Sequence, residues 1–197
     1  MQKLSSSFLN MLLSLTIICG AAAALLAFVN DSTKETIAAG NKQTLLDGIQ
    51  NVTPEFDNNP YEEKVAVEMN GDLYNVYPAK KGGELVGVAV ESLSHNGFSG
   101  DINILVGMDK KSTIVNYTVL QQAETPGLGA EMDGHFRTEG TGANVLGLSL
   151  LEPLKVTKDG GKVDAITAAT ISSRAFLDAL NNAQSAYKKA VDDNLIK

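Results

Sequence analysis

The chain has 197 residues, with 16 Lys and Arg against 23 Asp and Glu and a formal net charge of -7. That acidic balance, without a Lys/Arg run to release DNA counterions, excludes a nucleic-acid-binding surface. The single cysteine, Cys19, excludes a disulfide framework, a zinc ribbon and a Cys-ligated iron–sulfur cluster built within this chain.

The first element is apolar. Phe8–Val29 is 22 residues without a charged side chain, and Lys3 is the only charged side chain before Asp31. As a helix rising about 1.5 Å per residue it spans roughly 33 Å, matching a hydrocarbon core of about 30 Å. A cleaved signal peptide has a shorter apolar core, about 7–15 residues, so the segment reads as a retained membrane anchor. Thr16-Ile17-Ile18 before Cys19 are too bulky for a lipoprotein cleavage site. Lys3 with the N-terminal amine on one side and Lys34 with Lys42 on the other nearly balance, which leaves the orientation open. The remaining Asn30–Lys197 is 168 residues with 15 positive and 23 negative side chains. A chain of that length buries roughly 70% of its unfolded surface, enough for a core without staples.

Beyond the membrane, Ser32-x-x-Glu35 has the capping-box pattern and predicts a new helix to about Ile49. Ala38, Leu45, Leu46 and Ile49 fall near one face of it. Asn51–Pro60 is rich in turn residues and reads as a linker. The chain therefore divides into a tail (1–7), a transmembrane helix (8–29), a juxtamembrane helix with linker (30–60) and a folded domain (61–197). In that domain, Lys64–Met69, Leu73–Tyr77, Leu85–Glu91, Ile102–Val106 and Ile114–Leu120 read as strands separated by turn signals. No helix-length crossover fits between successive runs, so the sheet is expected to be mostly antiparallel. A Gly-rich stretch follows to about Gly147. A last helix is expected from about Ile171 to Val191, where Ile171, Ala175, Phe176, Ala179, Leu180, Ala183 and Tyr187 recur at helical spacing. The fold class is α+β.

Familiar catalytic templates are missing. His95 and His135 stand alone without an HExxH or a ligand pair at helical spacing, so no metal site is expected. Gly127-Leu-Gly129-Ala-Glu-Met132 and Gly140-Thr-Gly142-Ala-Asn-Val145 start like dinucleotide fingerprints but lack the third glycine. Two other segments are less ordinary. In Glu124-Thr125-Pro126-Gly127-Leu128-Gly129, Pro126 and Gly127 suit the central positions of a type II turn. The amides of Gly127–Gly129 would form a small nest, with Glu124 and Thr125 at its mouth; a plain surface turn accounts for the same residues. Asp164-Ala-Ile-Thr167-Ala168-Ala169-Thr170-Ile-Ser172-Ser173 runs directly into the last helix. Thr170, Ser172 and Ser173 are all suitable N-caps, yet a helix N-terminus is also where a phosphate is best held.

Together these segments resemble the FMN-binding domain family of RnfG, which belongs to the Rnf electron-transport complex, and its relative NqrC of the sodium-pumping NADH:quinone reductase. The matching stretches are His95-Asn-Gly97-Phe-Ser-Gly100, Ile102–Gly107, Glu124–Gly129 and Asp164–Arg174. The resemblance implies that a flavin transferase joins FMN through its phosphate to Thr170, with Asp164 and Thr167 leading the flavinylation motif. Ala168 stands where the family usually has glycine, followed by Ala169. The resemblance further implies that the helix N-terminus and the Ser172 and Ser173 hydroxyls stabilise the phosphodiester. The isoalloxazine would rest against Glu124, Thr125, Gly127, Leu128 and Gly129. The expected activity is that of a covalently flavinylated redox subunit of an ion-translocating ferredoxin:NAD oxidoreductase complex, with no complete active site of its own. The resemblance places it in the cytoplasmic membrane as a single-pass protein, its soluble domain on the extracytoplasmic side, among the other Rnf subunits and membrane lipid. An NqrC-type subunit, or a tethered binding domain in which Thr170 merely caps a helix, are the alternatives.

Overall fold

The computed structural model describes residues 7–196. The chain divides into two compact units, one up to Thr44 and one from Leu45 onward. In the first, helix α1 (Phe8–Val52) begins; its portion Phe8–Lys34 is 27 residues long and contains an 18-residue window of mean hydropathy 2.5, none of which is buried. A helix apolar all round and uncovered by protein fits a membrane anchor. Its hydroxyls are satisfied within the helix, Ser14 Oγ donating to the Met11 carbonyl (3.0 Å) and Thr16 Oγ1 to that of Leu12 (2.9 Å), as a water-free surround requires.

The expected second helix start at Ser32 does not occur. α1 passes through Ser32 without a break, and Thr33 Oγ1 donates back to the Val29 carbonyl at 2.8 Å. With no proline or glycine between Val29 and Glu35, the amides that a capping box would serve are already paired inside the helix. Of the expected tail 1–7, all but Ser7 lies outside the described residues, as do the side chains of Glu35 and Ala38.

The second unit opens with the last turns of α1. Five strands follow: β1 (Val65–Met69), β2 (Asp72–Lys81), β3 (Glu84–Ser94), β4 (Ile102–Asp109) and β5 (Ile114–Gln121). They form one antiparallel meander in the order β1-β2-β3-β4-β5, as the run spacing predicts. Asn70-Gly71 and Gly82-Gly83 make the first two hairpin turns with positive φ at all four residues, the combination that matches strand twist. The β4–β5 turn, Asp109–Ser112, is closed by Asp109 Oδ1, which accepts from the amides of Lys111 and Thr113 at 2.8 Å each.

Side chains of the central strands alternate between two covered faces. On one, Val88, Val90, Ile104, Val106, Met108 and Tyr117 pack against helix α3 (Thr170–Asp192). Ala175, Ala179, Ala183, Ala186 and Ala190 keep that face of α3 low, so the helix lies close to the sheet. Phe136, after the short helix α2 (Met132–His135), stacks on Phe176 with centroids 4.4 Å apart. Helix and β3 are also joined through polar groups: Ser92 Oγ donates to the Ala179 carbonyl (2.7 Å) and Asn182 Nδ2 to that of Leu93 (3.1 Å).

On the opposite face, Tyr77, Ala89 and Leu105 meet Ile49 and Val52 from the end of α1. The segment expected as a linker is docked here. The Asp57 amide donates to the Lys80 carbonyl (2.8 Å), and Asn58 bonds both the Pro78 carbonyl and the Lys80 amide. It continues the edge of β2 beyond the end of β1, giving backbone groups there partners they otherwise lack. A Cβ at Gly107 would collide with the Val52 carbonyl. Gly107→Ala is therefore expected to lower stability by about 1–3 kcal/mol through overpacking, read as a lower midpoint in denaturant unfolding of the detergent-solubilised chain.

Candidate functional site

Three segments distant in sequence meet at the N-terminus of α3: the β3–β4 loop 95–101, the turn 124–129 and the stretch 164–172. Glu124 joins them. The residue is only 5% exposed; its Oε1 accepts from the Ser99 amide (2.9 Å) and its Oε2 from Ser172 Oγ (2.5 Å). A Cβ at Gly97 would crowd Oε1, and one at Gly129 would crowd Oε2 and the Ser172 hydroxyl. The two glycines are thus needed for closeness of approach. Expected at the mouth of a nest, Glu124 is instead an internal tie, because a buried carboxylate requires donors on both oxygens.

The turn itself forms as expected. Gly127 has φ of 75°, and the Leu128 amide donates to the Thr125 carbonyl at 3.1 Å, closing the turn over Pro126-Gly127. The Ala130 amide reaches the same carbonyl at 3.3 Å, so the nest closes partly on itself.

The stretch entering α3 holds a second turn. The Ala169 amide donates to the Ile166 carbonyl at 3.0 Å, and Ala168, in the third position, has φ of 61°. That position of a type II turn favours glycine, so alanine is strained there. Ala169 then occupies the cap position with no side-chain capping bond, and Thr170 is the first helical residue. Neither Thr170, Ser172 nor Ser173 caps the helix. The first amides of α3 consequently face outward without a side-chain acceptor, beside the positive end of the helix dipole.

The hydroxyls expected to hold a phosphate are committed elsewhere. Ser172 donates to Glu124, while Ser173 Oγ donates to the Ala169 carbonyl (2.9 Å) and accepts from the Ile166 amide (3.0 Å). Both are buried, 2% and 0% exposed, and they shape the loop from within. Thr170 Oγ1 instead accepts from Lys158 Nζ at 3.0 Å; Lys158 belongs to a short 3-10 turn, Thr157–Asp159.

A cavity of about 270 Å³ opens beside Thr170. Glu124, Thr125, Leu128, Gly129, Thr170 and Ser172 line it, with Ala168 and Ala169; Gly127, Asp164, Thr167 and Ser173 do not. Asp164 lies off to one side, its amide donating to the Gly142 carbonyl (2.9 Å) and its carbonyl accepting from His135 Nε2 (3.1 Å). The cavity walls that sequence reasoning did not assign are Phe98 and Ile171. Both are exposed, as is Leu128, and three exposed apolar side chains around one polar floor suit a flat, partly apolar ligand. The sequence signal for Phe98 is a large aromatic placed between Gly97 and Gly100. Lys158 has no comparable signal.

The loop carrying Phe98 is latched by His95, whose Nδ1 lies 2.9 Å from Asp101 Oδ1 and Nε2 3.1 Å from Asp72 Oδ1. Hydrogen bonds to Asp101 first, then to Asp72, raise the imidazole above its ordinary 6.5.

Residues 97–185 match the FMN-binding domain family. The chain is 33% identical over 177 residues to the G subunit of the ion-translocating oxidoreductase complex of Aliivibrio fischeri (strain MJ11), covering 85% of this chain and 84% of that protein. It is 34% identical over 186 residues to the protein of the same name from Yersinia pestis, covering 87% and 86%. The G subunit of the Na(+)-translocating ferredoxin:NAD(+) oxidoreductase complex of Acetobacterium woodii is 33% identical over 186 residues, 89% of each chain. The chain belongs to the RnfG family of ion-translocating oxidoreductase complexes. The resemblance read from the Glu124–Gly129 and Asp164–Arg174 segments is thereby borne out.

Two outcomes are expected here. Ala168→Gly should stabilise the protein by about 1 kcal/mol, because glycine removes the left-handed strain and gives back part of the gain as chain entropy; denaturant midpoints of the two chains measure it. The His95 latch is complete below the ordinary imidazole value and is lost as pH rises through the raised folded one. Melting temperature should therefore fall over that window in the parent chain, and His95→Gln should remove that component of the pH dependence.

Proposed function

We propose that this chain is the membrane-anchored flavoprotein subunit of an Rnf-type, ferredoxin:NAD oxidoreductase complex, relaying electrons through FMN joined by its phosphate to Thr170 Oγ1. One observation carries the reading: Thr170 opens α3 as its first helical residue, its hydroxyl beside a cavity and a lysine, at a helix start no side chain caps. Uncapped helical amides and a nearby ammonium are the donor set a phosphodiester needs.

The residues present fit FMN in a second respect. Phe98, Leu128 and Ile171 offer apolar contact to a ring system, and a cavity of about 270 Å³ is just below the usual range of ligand pockets, about 300–1,000 Å³, so part of the ligand stays open to a redox partner. Bound there, FMN supplies the one- and two-electron chemistry, which the protein side chains lack. The chain's own contribution is placement. Thr170 tethers, the amides of α3 and Lys158 offset the phosphate charge, and Glu124 holds the walls together. Tethering removes the entropy of recapturing a loose cofactor. The partners on this reading are the other subunits of the complex, a flavin transferase during maturation, and membrane lipid. Its place is the cytoplasmic membrane as a single-pass protein, with the domain on the extracytoplasmic side.

Protein made together with a flavin transferase, run on a denaturing gel and viewed under ultraviolet light before staining, tests the reading. A fluorescent band at the full chain's 20.8 kDa is expected, and it should vanish in Thr170→Ala. Because Thr170 caps nothing, that variant should keep parental stability to within about 0.5 kcal/mol. A dark parental band beside a fluorescent control flavoprotein would sink the proposal.

A further inference from the structure

Lys158 lies outside the flavinylation motif, yet its side chain touches the motif's last hydroxyl. The element carrying it is well built. Val156 and Val163 form a parallel bridge, and the Thr157 amide donates to the Val163 carbonyl at 2.9 Å. Gly160 closes the turn with φ of 79°, and a Cβ on Gly161 would collide with the Lys155 carbonyl.

A second contact sets this turn in register with α3. Arg174, one helical turn beyond Thr170, forks onto Asp159, Nε to Oδ2 and Nη2 to Oδ1, both at 2.7 Å. The guanidinium bonds hold the Asp159 carboxyl below its ordinary range. Adjacent residues 158 and 159 thus grip positions 170 and 174 on one face of the helix. Lys158 is held where its ammonium meets Thr170 Oγ1, in a chain whose net charge of -7 otherwise opposes a bound phosphate.

We propose that Lys158 is the positioning residue for the phosphoryl group at Thr170, orienting the free hydroxyl and then pairing with the phosphodiester charge. This rests on Thr170 being the attachment site. A hydroxyl oxygen that accepts from Nζ keeps its own hydrogen and one lone pair turned away from the lysine. In the transfer, that lone pair would attack the flavin-side phosphorus of a flavin dinucleotide supplied as co-substrate of the transferase; the P–O–P bond breaks, the nucleoside monophosphate leaves, and the hydroxyl proton passes to a base of the transferase or to water. The donors the ammonium still has would then be available to the phosphodiester, as a point charge that needs no fixed fork geometry.

The test follows flavin incorporation into the full-length, detergent-solubilised chain, with a flavin transferase and limiting time points, by intact mass and peptide mapping. Lys158→Gln should slow incorporation about tenfold, the scale of one charge-assisted hydrogen bond, while Lys158→Arg should retain most of the rate. The phosphorus NMR resonance of the flavinylated product should differ between the parent and Lys158→Gln, a readout that a surface packing role does not move. Equal melting temperatures of the unflavinylated chains would exclude misfolding, since Lys158 is exposed. Parental flavin on Thr170 with Lys158→Gln equal in rate and resonance would overturn the Lys158 role and leave the attachment reading standing. A parental chain that takes no flavin, or takes it at another residue, would overturn both.

Discussion

A buried carboxylate at the floor of the cavity is the constraint on which the site depends. Glu124 is buried with Ser99 above one oxygen and Ser172 below the other, and such a charge is tolerated only while both donors stay in place. Those donors come from the β3–β4 loop and from the first turn of α3, so satisfying one side chain brings three segments to one point. Gly97 and Gly129 permit it by leaving out the atoms that would fill the gap. Other polar ties point the same way: Asp178 on α3 accepts from Ser94 Oγ (2.6 Å) and Asn96 Nδ2 (2.9 Å) at the root of the same loop.

Held in this way, the start of α3 departs from what stability alone would select. Alanine stands at the cap where Ser, Thr, Asp or Asn would each add roughly 1 kcal/mol, and another alanine sits in a left-handed turn position. Residues able to cap are present nearby, but their hydroxyls face inward. Local conflict between sequence preference and conformation is characteristic of functional sites. Here it leaves a helix terminus and one threonine hydroxyl open, with a lysine brought in from a separate turn.

The remainder of the domain keeps that terminus steady. The sheet is covered on one face by α3 and on the other by the last turns of α1 with the docked segment around Asp57 and Asn58. Burial on both faces accounts for the uninterrupted apolar runs of β3 and β4, where a one-sided antiparallel sheet would alternate. The alanine-rich face of α3 brings the helix close to β3, so its N-terminus has little freedom to move relative to the loop that carries Phe98.

Local chemistry made much of this protein legible in its residue order. The anchor follows from length and apolarity, and the meander from short β-type runs joined by Asn70-Gly71 and Gly82-Gly83. The Pro126-Gly127 turn follows from two residues that each fix one φ. The α3 repeat, and the placing of Thr170 where that helix begins, were equally readable, because 3.6-residue periodicity and turn chemistry are properties of neighbours. Long-range pairing was not. Whether Ser32 would start a helix depended on α1 already running through it. Whether Glu124 and Ser172 would face solvent or each other depended on segments 25 and 48 residues apart in the chain. The meeting of Lys158 with Thr170 required a bridge between Val156 and Val163 and a fork from Arg174. Those choices were left to tertiary structure, because a buried charge or a free hydroxyl takes its role from the partners that packing delivers to it.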